Sequence, residues 1–215
     1  MYLDLFVDTS RKGTSLALSS NSKAQRDVYV ELVNPQAKGE TLSATLDELL
    51  LQAQASLSDI GRVMVTLGPG SFSGLRTGVA FCQGLCFSGK HQLYGVSTLQ
   101  ALAYFERPSQ ASGKAIVVIR ARSGYWYLRK EENESFISTE ELLKALENVS
   151  NSTIVADDDF ASDKAFEQFI QSNKISIANA SGKLNAWAPL FDIIKPTLIQ
   201  SANYIQPSYF EKIKA

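Results

Sequence analysis

Residues Gly68 to Gly78 read Gly-Pro-Gly-Ser-Phe-Ser-Gly-Leu-Arg-Thr-Gly, four glycines and one proline in eleven positions. They stand between a β-branched run, Val63-Met64-Val65-Thr66-Leu67, and an apolar run, Val79 to Phe87. Pro69 cannot continue a strand ladder and Gly70 accepts unusual backbone angles. The stretch therefore predicts a strand that stops at a Gly68-Pro69-Gly70 turn and re-emerges as a helix near Ser71 or Phe72. The Ser71 hydroxyl is placed to accept from a free N–H of the first turn as an N-cap.

At about 100° per residue, Gly74, Gly78, Phe81 and Leu85 share one face of this helix, and Leu75, Val79, Cys82 and Cys86 extend the apolar arc round a neighbouring one. Arg76 and Gln83 define the polar edge. A helix apolar over most of its circumference is buried on two sides, and glycines four apart let another backbone approach closely. Glycine inside a helix costs about 0.5–1 kcal/mol relative to alanine, so two of them point to a packing reason. One side packs on a sheet; the other needs a partner, either a helix of the same chain or another subunit.

With 215 residues, 45% of them hydrophobic, the chain is long enough for one sizeable core or two small ones. No apolar run approaches the roughly 20 residues that span a bilayer, and Met1-Tyr2-Leu3-Asp4 lacks the pattern of a signal peptide, so a cytoplasmic location is the expectation. Cys82 and Cys86 read as small apolar packing residues. A zinc site would need further soft ligands, and His91 is the one histidine in the sequence, which reads as a solvated turn residue. Net charge is −1 from 21 basic and 22 acidic side chains, whereas proteins that grip nucleic acid alone carry a basic surplus. A nucleic-acid role is thus expected to be shared with another protein.

Taken in order, Tyr2 to Val7, Thr14 to Ser19 and Ala24 to Val33 read as three strands of an antiparallel meander that ends at Asn34-Pro35. Thr41 to Ala55 is helical, capped by Thr41, with Leu42, Leu46, Leu49, Leu50 and Ala53 on one face and Leu51 off it. Strand Val63 to Leu67, the glycine-rich helix, strand Gln92 to Val96 and helix Leu99 to Phe105 follow. Meander plus crossovers gives a mixed sheet packed with helices. The polar stretch Arg107 to Gly113 marks a boundary, after which strands Ala115 to Arg120 and Tyr125 to Lys130, helix Thr139 to Leu146, strand Thr153 to Ala156, helix Ser162 to Gln171 and strand Ile175 to Ala178 begin a weaker copy of the first half. Ala186 to Ile194 reads as one more helix. The chain divides as 1–106 and 107–215, with the final residues free to return to the first lobe.

Several chemistries are weak or excluded. Asp8-Thr9-Ser10 at the end of the first strand resembles the start of a phosphate-binding hairpin, but an acid and hydroxyls also cap turns. The glycine stretch lacks the Lys-Ser/Thr pair of a P-loop, and no acid stands about 20 residues beyond it as a dinucleotide fingerprint requires. A nucleophilic triad lacks its base. Asp157-Asp158-Asp159 reads as a solvated loop, three successive acids pointing in different directions.

Asp8-Thr9-Ser10, the run from Gly68 to Leu85, Gly95-Val96-Ser97-Thr98-Leu99 and Gln206-Pro207-Ser208-Tyr209 together resemble the TsaB (YeaZ) family of bacterial tRNA threonylcarbamoyladenosine biosynthesis proteins, closely in the first half and loosely in the second. The resemblance implies an α/β fold of two actin-like (ribonuclease H-like, sugar-kinase-like) lobes, each a mixed sheet of βββαβα type, the second smaller and degenerate. It also implies a non-catalytic subunit that pairs with TsaD and with the small ATPase TsaE. TsaD then transfers threonylcarbamoyl to the adenosine next to the anticodon. The first two helices are the implied interface to TsaD, or to a second copy when the chain is alone: Leu42, Leu46, Leu49, Phe72, Gly74, Leu75, Gly78, Phe81, Cys82 and Leu85. Gly68, Pro69, Gly70 and Ser71 serve as turn and cap, and Asp8, Thr9 and Ser10 as a vestigial phosphate site. No catalytic residue, metal, cofactor or membrane contact is expected, and tRNA is met only through the complex.

Departures are specific. A family-like Asp-Ala-Arg is replaced by Arg120-Ala121-Arg122, which opposes phosphoryl transfer. Lys38-Gly39-Glu40 stands where a histidine often precedes the first helix, and no Gly-Gly adenosine loop occurs near Ala178 to Lys183. The alternatives are a small-molecule ATP-dependent kinase of the same fold, and a homologue of M22-type metallopeptidases, disfavoured for want of ligands.

Overall fold

A computed structural model describes residues 2–11, 13–20, 28–34, 41–106 and 115–205. The chain divides into two compact units, Met1–Thr98 with Lys183–Tyr204, and Leu99–Gly182 with Ile205–Ala215. A single cut after residue 106 does not describe this division, because the chain returns to the first unit at Lys183. Lys38-Gly39-Glu40 and Gln206 to Tyr209 lie outside the described residues.

In the first unit, β1 (Leu3–Asp8), β2 (Thr14–Ser20) and β3 (Tyr29–Asn34) form the antiparallel meander, and β4 (Ile60–Gly68) and β5 (Gln92–Ser97) add parallel to β1 and to each other. The sheet order is β3-β2-β1-β4-β5. Of the third expected strand, residues 24–27 lie outside the described set. Helix α1 (Leu42–Ala53) packs over β2 and β3, and α2 (Phe72–Cys86) over β4 and β5. Both helices share one core with alternate residues of the strands, Leu3, Leu5, Val7, Leu16, Leu18, Val63 and Val65, as the period of two dictates. Phe6 and Tyr94 point to the opposite face, where they meet Trp187 and Phe191 of a 3₁₀ helix, Leu184–Asp192. Pro189 inside this segment is compatible with the 3₁₀ form found in place of the expected α-helix. Arg62 fixes the same face, donating to both Asp4 oxygens at 2.8 and 2.7 Å and stacking 4.2 Å above the Phe191 ring. Burial outweighs that pairing and raises the Asp4 carboxyl above its usual range.

In the second unit, α3 (Thr98–Glu106, from Leu99 onward) precedes β6 (Ile116–Arg122), β7 (Tyr125–Lys130), β8 (Asn133–Ser138), α4 (Thr139–Leu146), β9 (Thr153–Ala156), α5 (Asp158–Ser162), α6 (Lys164–Ser172) and β10 (Ser176–Asn179). The sheet order is β10-β9-β6-β7-β8, with β6-β7-β8 antiparallel and β6-β9-β10 parallel. Strand for strand, this repeats the first sheet. Helix α4 opens on a capping box in which Ser138 and Glu141 satisfy each other's backbone N–H, and Glu140 and Glu141 occupy its first turn. The core gathers round Trp126, enclosed by Phe160 at 5.8 Å and Phe166 at 5.1 Å, both edge-on.

Three expectations are corrected. Asp157-Asp158-Asp159 is the start of α5, with Asp157 accepting from Phe160 N as N-cap, because an acid there satisfies a free first-turn donor. His91 is buried, its ring Nδ1 2.8 Å from the Ile60 carbonyl, since the turn after α2 folds it onto the start of β4. Thr41 makes no side-chain cap on α1; its carbonyl instead accepts from Thr45 Oγ1.

Candidate functional site

The site is built at the carboxyl end of β4, where the first turn of α2 meets the hairpin turn between β1 and β2. Gly68 has φ +113, a left-handed backbone that a β-branched side chain would not accept. Beyond it, Ser71 caps α2, its hydroxyl accepting from Gly74 N at 3.3 Å. Ser71 N donates to the Ser10 carbonyl at 2.6 Å, and a Cβ at Gly70 would fall on that same carbonyl. The glycine turn and the hairpin turn are thus closed against each other.

Asp8 holds the hairpin from within. Its Oδ1 accepts from Ser10 N at 2.9 Å, Ser10 Oγ at 2.6 Å and Thr66 Oγ1 at 3.0 Å, and its Oδ2 lies 3.6 Å from Arg11 Nε. A carboxylate with three donors on one oxygen and a guanidinium beside the other is engaged in folding the loop. Asp8→Ala would leave those buried donors without a partner and is expected to destabilise the protein by about 3 kcal/mol, read from chemical denaturation. A loss below about 1 kcal/mol would show that the loop does not depend on this carboxylate.

Thr9 is the knob between the turn and the helix. A Cβ at Gly74 would overlap the Thr9 carbonyl, and one at Gly78 would overlap Thr9 Oγ1 and approach Cγ2 at 3.0 Å. The glycine face of α2 therefore packs on the chain's own hairpin, which corrects its assignment to a partner. Leu42, Leu46, Leu49, Leu75 and Cys82 are likewise enclosed in the first unit's core, and Phe81 and Leu85 are half-buried against it. They face the sheet because they lie on the helix stripes that α1 and α2 turn toward β2, β3, β4 and β5. Burial pushes the Cys82 thiol up, and the Cys86 thiol to about 11, which disfavours the thiolate at both.

What α2 turns outward is a different stripe. Ser73, Arg76, Ala80, Gly84 and Phe87 are exposed at helical spacing, and nothing would meet a Cβ added at Gly84. Phe87 is 80% exposed, Phe72 59%, and Leu51 on α1 79%. Of the ten expected interface residues, Phe72 alone is exposed. Ala80 and Gly84 carry little hydrophobic weight and Phe87 stands at the C-cap of the helix, so the sequence reading does not single out this face, although their spacing from Ser73 marks it.

In the second unit, Arg120 occupies the position where an acid was expected. Its backbone N–H donates to Asp157 Oδ2 at 2.6 Å, its guanidinium bonds Asp163 Oδ2 at 2.8 Å, and the same group stacks 4.1 Å over Trp126. Burial raises the Asp157 carboxyl above its usual range against these donors. Both acids are also N-caps, of α5 and α6, so the arrangement ties helices to β6. Among the described residues no group of three or more His, Cys, Asp or Glu could hold a metal ion. No helix there is long and apolar enough to cross a membrane.

Residues 34–188 match the family described as TsaD: tRNA N6-adenosine threonylcarbamoyltransferase. The tRNA threonylcarbamoyladenosine biosynthesis protein TsaB of Escherichia coli is 30% identical over 131 residues, 59% of this chain and 55% of that one. The protein of the same name from Buchnera aphidicola subsp. Schizaphis graminum is 27% identical over 167 residues, 72% and 77% of the two chains. The chain belongs to this family, on its TsaB (YeaZ) branch. The solved structure of an uncharacterized protein with similarity to peptidase YeaZ from Pseudomonas aeruginosa shares the fold with a TM-score of 0.71 and 19% identity over 96% of this chain and 100% of that one. The match spans about half the length of the E. coli TsaB relative. For a TsaB-branch chain, the two mixed sheets with their helices are the expected architecture, and the outward stripe of α2 is the surface left to be accounted for.

Proposed function

We propose that this chain is a non-catalytic subunit in the synthesis of threonylcarbamoyladenosine in tRNA, acting in the cytoplasm. It pairs through the outward faces of α1 and α2 with a TsaD-type subunit, which transfers threonylcarbamoyl to the adenosine next to the anticodon. A TsaE-type ATPase joins the assembly, tRNA is reached only through it, and a second copy of the chain takes the partner's place when the protein is alone. The observation that carries this reading is the exposed stripe itself. The core under α1 and α2 is already closed by Leu42, Leu46, Leu49, Leu75 and Cys82, yet Leu51 on α1 and Phe72 and Phe87 at the two ends of α2 are largely exposed, with Ala80 and Gly84 exposed along the helix between those ends. An exposed helix face that carries small residues along its length and a large apolar one at its end has the profile of a surface made for a helix to approach.

The absence of catalysis rests on the two positions where the fold would place phosphate chemistry. Asp8 is engaged by Ser10, Thr66 and Arg11, and Arg120 by Asp163 and Trp126, so binding of Mg²⁺-ATP by the isolated chain is not expected. Calorimetry showing micromolar Mg²⁺-ATP affinity would instead support the kinase reading.

The interface is tested with Ala80→Glu. The side chain is exposed, so the substitution is expected to leave the melting transition in place while weakening association with the TsaD-type subunit at least 100-fold, measured by sedimentation or co-purification. Undiminished association of a folded Ala80→Glu protein would refute the assignment of this face.

A further inference from the structure

The segment that follows the 3₁₀ helix crosses the first unit as a strap tied to α2 at separated points. Thr197 N donates to the Leu93 carbonyl on β5 at 2.9 Å, and Asn203 N to the Leu67 carbonyl on β4 at 2.6 Å. Between them, Gln83 of α2 reaches out with one amide nitrogen to two strap carbonyls, Leu198 O at 3.2 Å and Gln200 O at 3.1 Å. Beyond them, the Tyr204 ring lies 4.9 Å from the Phe72 ring at the first turn of the same helix. A Cβ at Gly95 would fall on the Gln200 side chain and on Leu67 Cδ1, so the missing side chain of Gly95 makes room for both.

Apart from these ties the strap exposes most of its apolar surface. Leu198 and Ile199, its large apolar side chains, are 42% and 80% exposed, so it gains little from burial. A segment with few buried apolar contacts opens at a lower free energy than the core beneath it. Its ties nevertheless reach both ends of α2, Phe72 in the first turn and Gln83 in the last two.

We infer that the Thr197–Tyr204 strap is a latch on α2: closed, it fixes the flank of the helix and the Phe72 ring, and its opening is coupled to what α2 can bind. The coupling rests on the interface reading given above, whereas the latch itself stands on the hydrogen bonds. Gln83 is a positioning residue, since it lies on the flank and not on the outward stripe.

The experiment uses the full chain with Gln83→Leu, which removes both donors at similar volume, and Gly95→Ala as a second route, which displaces Gln200 along with the Leu67 side chain of β4. Hydrogen exchange is followed at the Thr197 and Asn203 amides, with amides of β1 and β2 as internal reference. Exchange at the two strap amides is expected to quicken at least 10-fold with the reference rates unchanged, and affinity for the TsaD-type subunit to fall about 5-fold or more. Unchanged strap exchange in both variants would overturn the latch. Faster strap exchange with unchanged affinity would overturn the coupling and leave the interface reading standing. If the unaltered chain fails to bind the TsaD-type subunit, the interface reading and the coupling fall together, while the exchange rates still decide the latch.

Discussion

Gly78→Ala is expected to destabilise this protein by about 2 kcal/mol, and Gly78→Leu to leave little folded chain, because the added Cβ lands on the Thr9 side chain in a packed interior. The relief is specific. Thr9→Ala removes Oγ1 and Cγ2 together, and Oγ1 is a buried hydroxyl with no hydrogen-bond partner among the described residues, so its loss by itself is expected to be nearly neutral. The double variant should recover at least half of the stability lost in Gly78→Ala, measured as a double-mutant cycle in chemical denaturation. Gly74→Ala provides the contrast, since its Cβ meets the Thr9 backbone carbonyl, which no side-chain substitution removes. Strict additivity of Gly78→Ala and Thr9→Ala would show that the two residues do not share a contact. The same clash explains why Gly78 is unsuited to probing the partner surface: its enlargement unfolds the helix seat before any partner is met.

Trp126→Ala should have the largest effect of any single truncation in the second unit, about 3–5 kcal/mol. The indole is fully buried between Phe160 and Phe166, donates through Nε1 to Thr139 Oγ1 at 3.0 Å, and carries the Arg120 guanidinium on its face. Its removal leaves a cavity and takes away the ring on which the Arg120 guanidinium stacks. The chain has two tryptophans, and the other, Trp187, lies in the first unit, so fluorescence of the Trp126→Ala protein reports that unit without interference. The expected result is early loss of far-ultraviolet circular dichroism from the second unit while Trp187 emission stays native. Trp126→Phe should retain most of the stability. A shift of less than about 1 kcal/mol in Trp126→Ala would contradict the reading of Trp126 as the centre of that core.

Much of the first unit is legible in the residues. The alternation in β1 and β2, the stripe of leucines in α1 and the Gly-Pro-Gly stop each carry a period or a steric rule that acts over a few residues. Strand β8 was missed because Asn-Glu-Ser-Phe-Ile-Ser has neither clear alternation nor an apolar run; it is a strand because β7 offers it an edge to pair with. The 3₁₀ helix Leu184–Asp192 belongs to the first unit, although nothing local in Leu-Asn-Ala-Trp-Ala-Pro-Leu-Phe-Asp says so. The site shows the same division. Ser71 as cap follows from a rule about the first turn, whereas Thr66 as an Asp8 partner depends on two strands, 58 positions apart in sequence, lying side by side.

By itself the sequence determined that Gly74 and Gly78 must meet something close, since two glycines in one helix need a packing reason. It also determined that the first half of the chain begins with a meander and the second with a pair of strands, because periodicity and turn chemistry are local. Which surface meets the glycines, and hence which face of α2 is left outside, was decided by the tertiary structure alone. Contact between a helix and a hairpin turn more than sixty residues earlier depends on the register of β1 against β4, and no spacing along the chain encodes it.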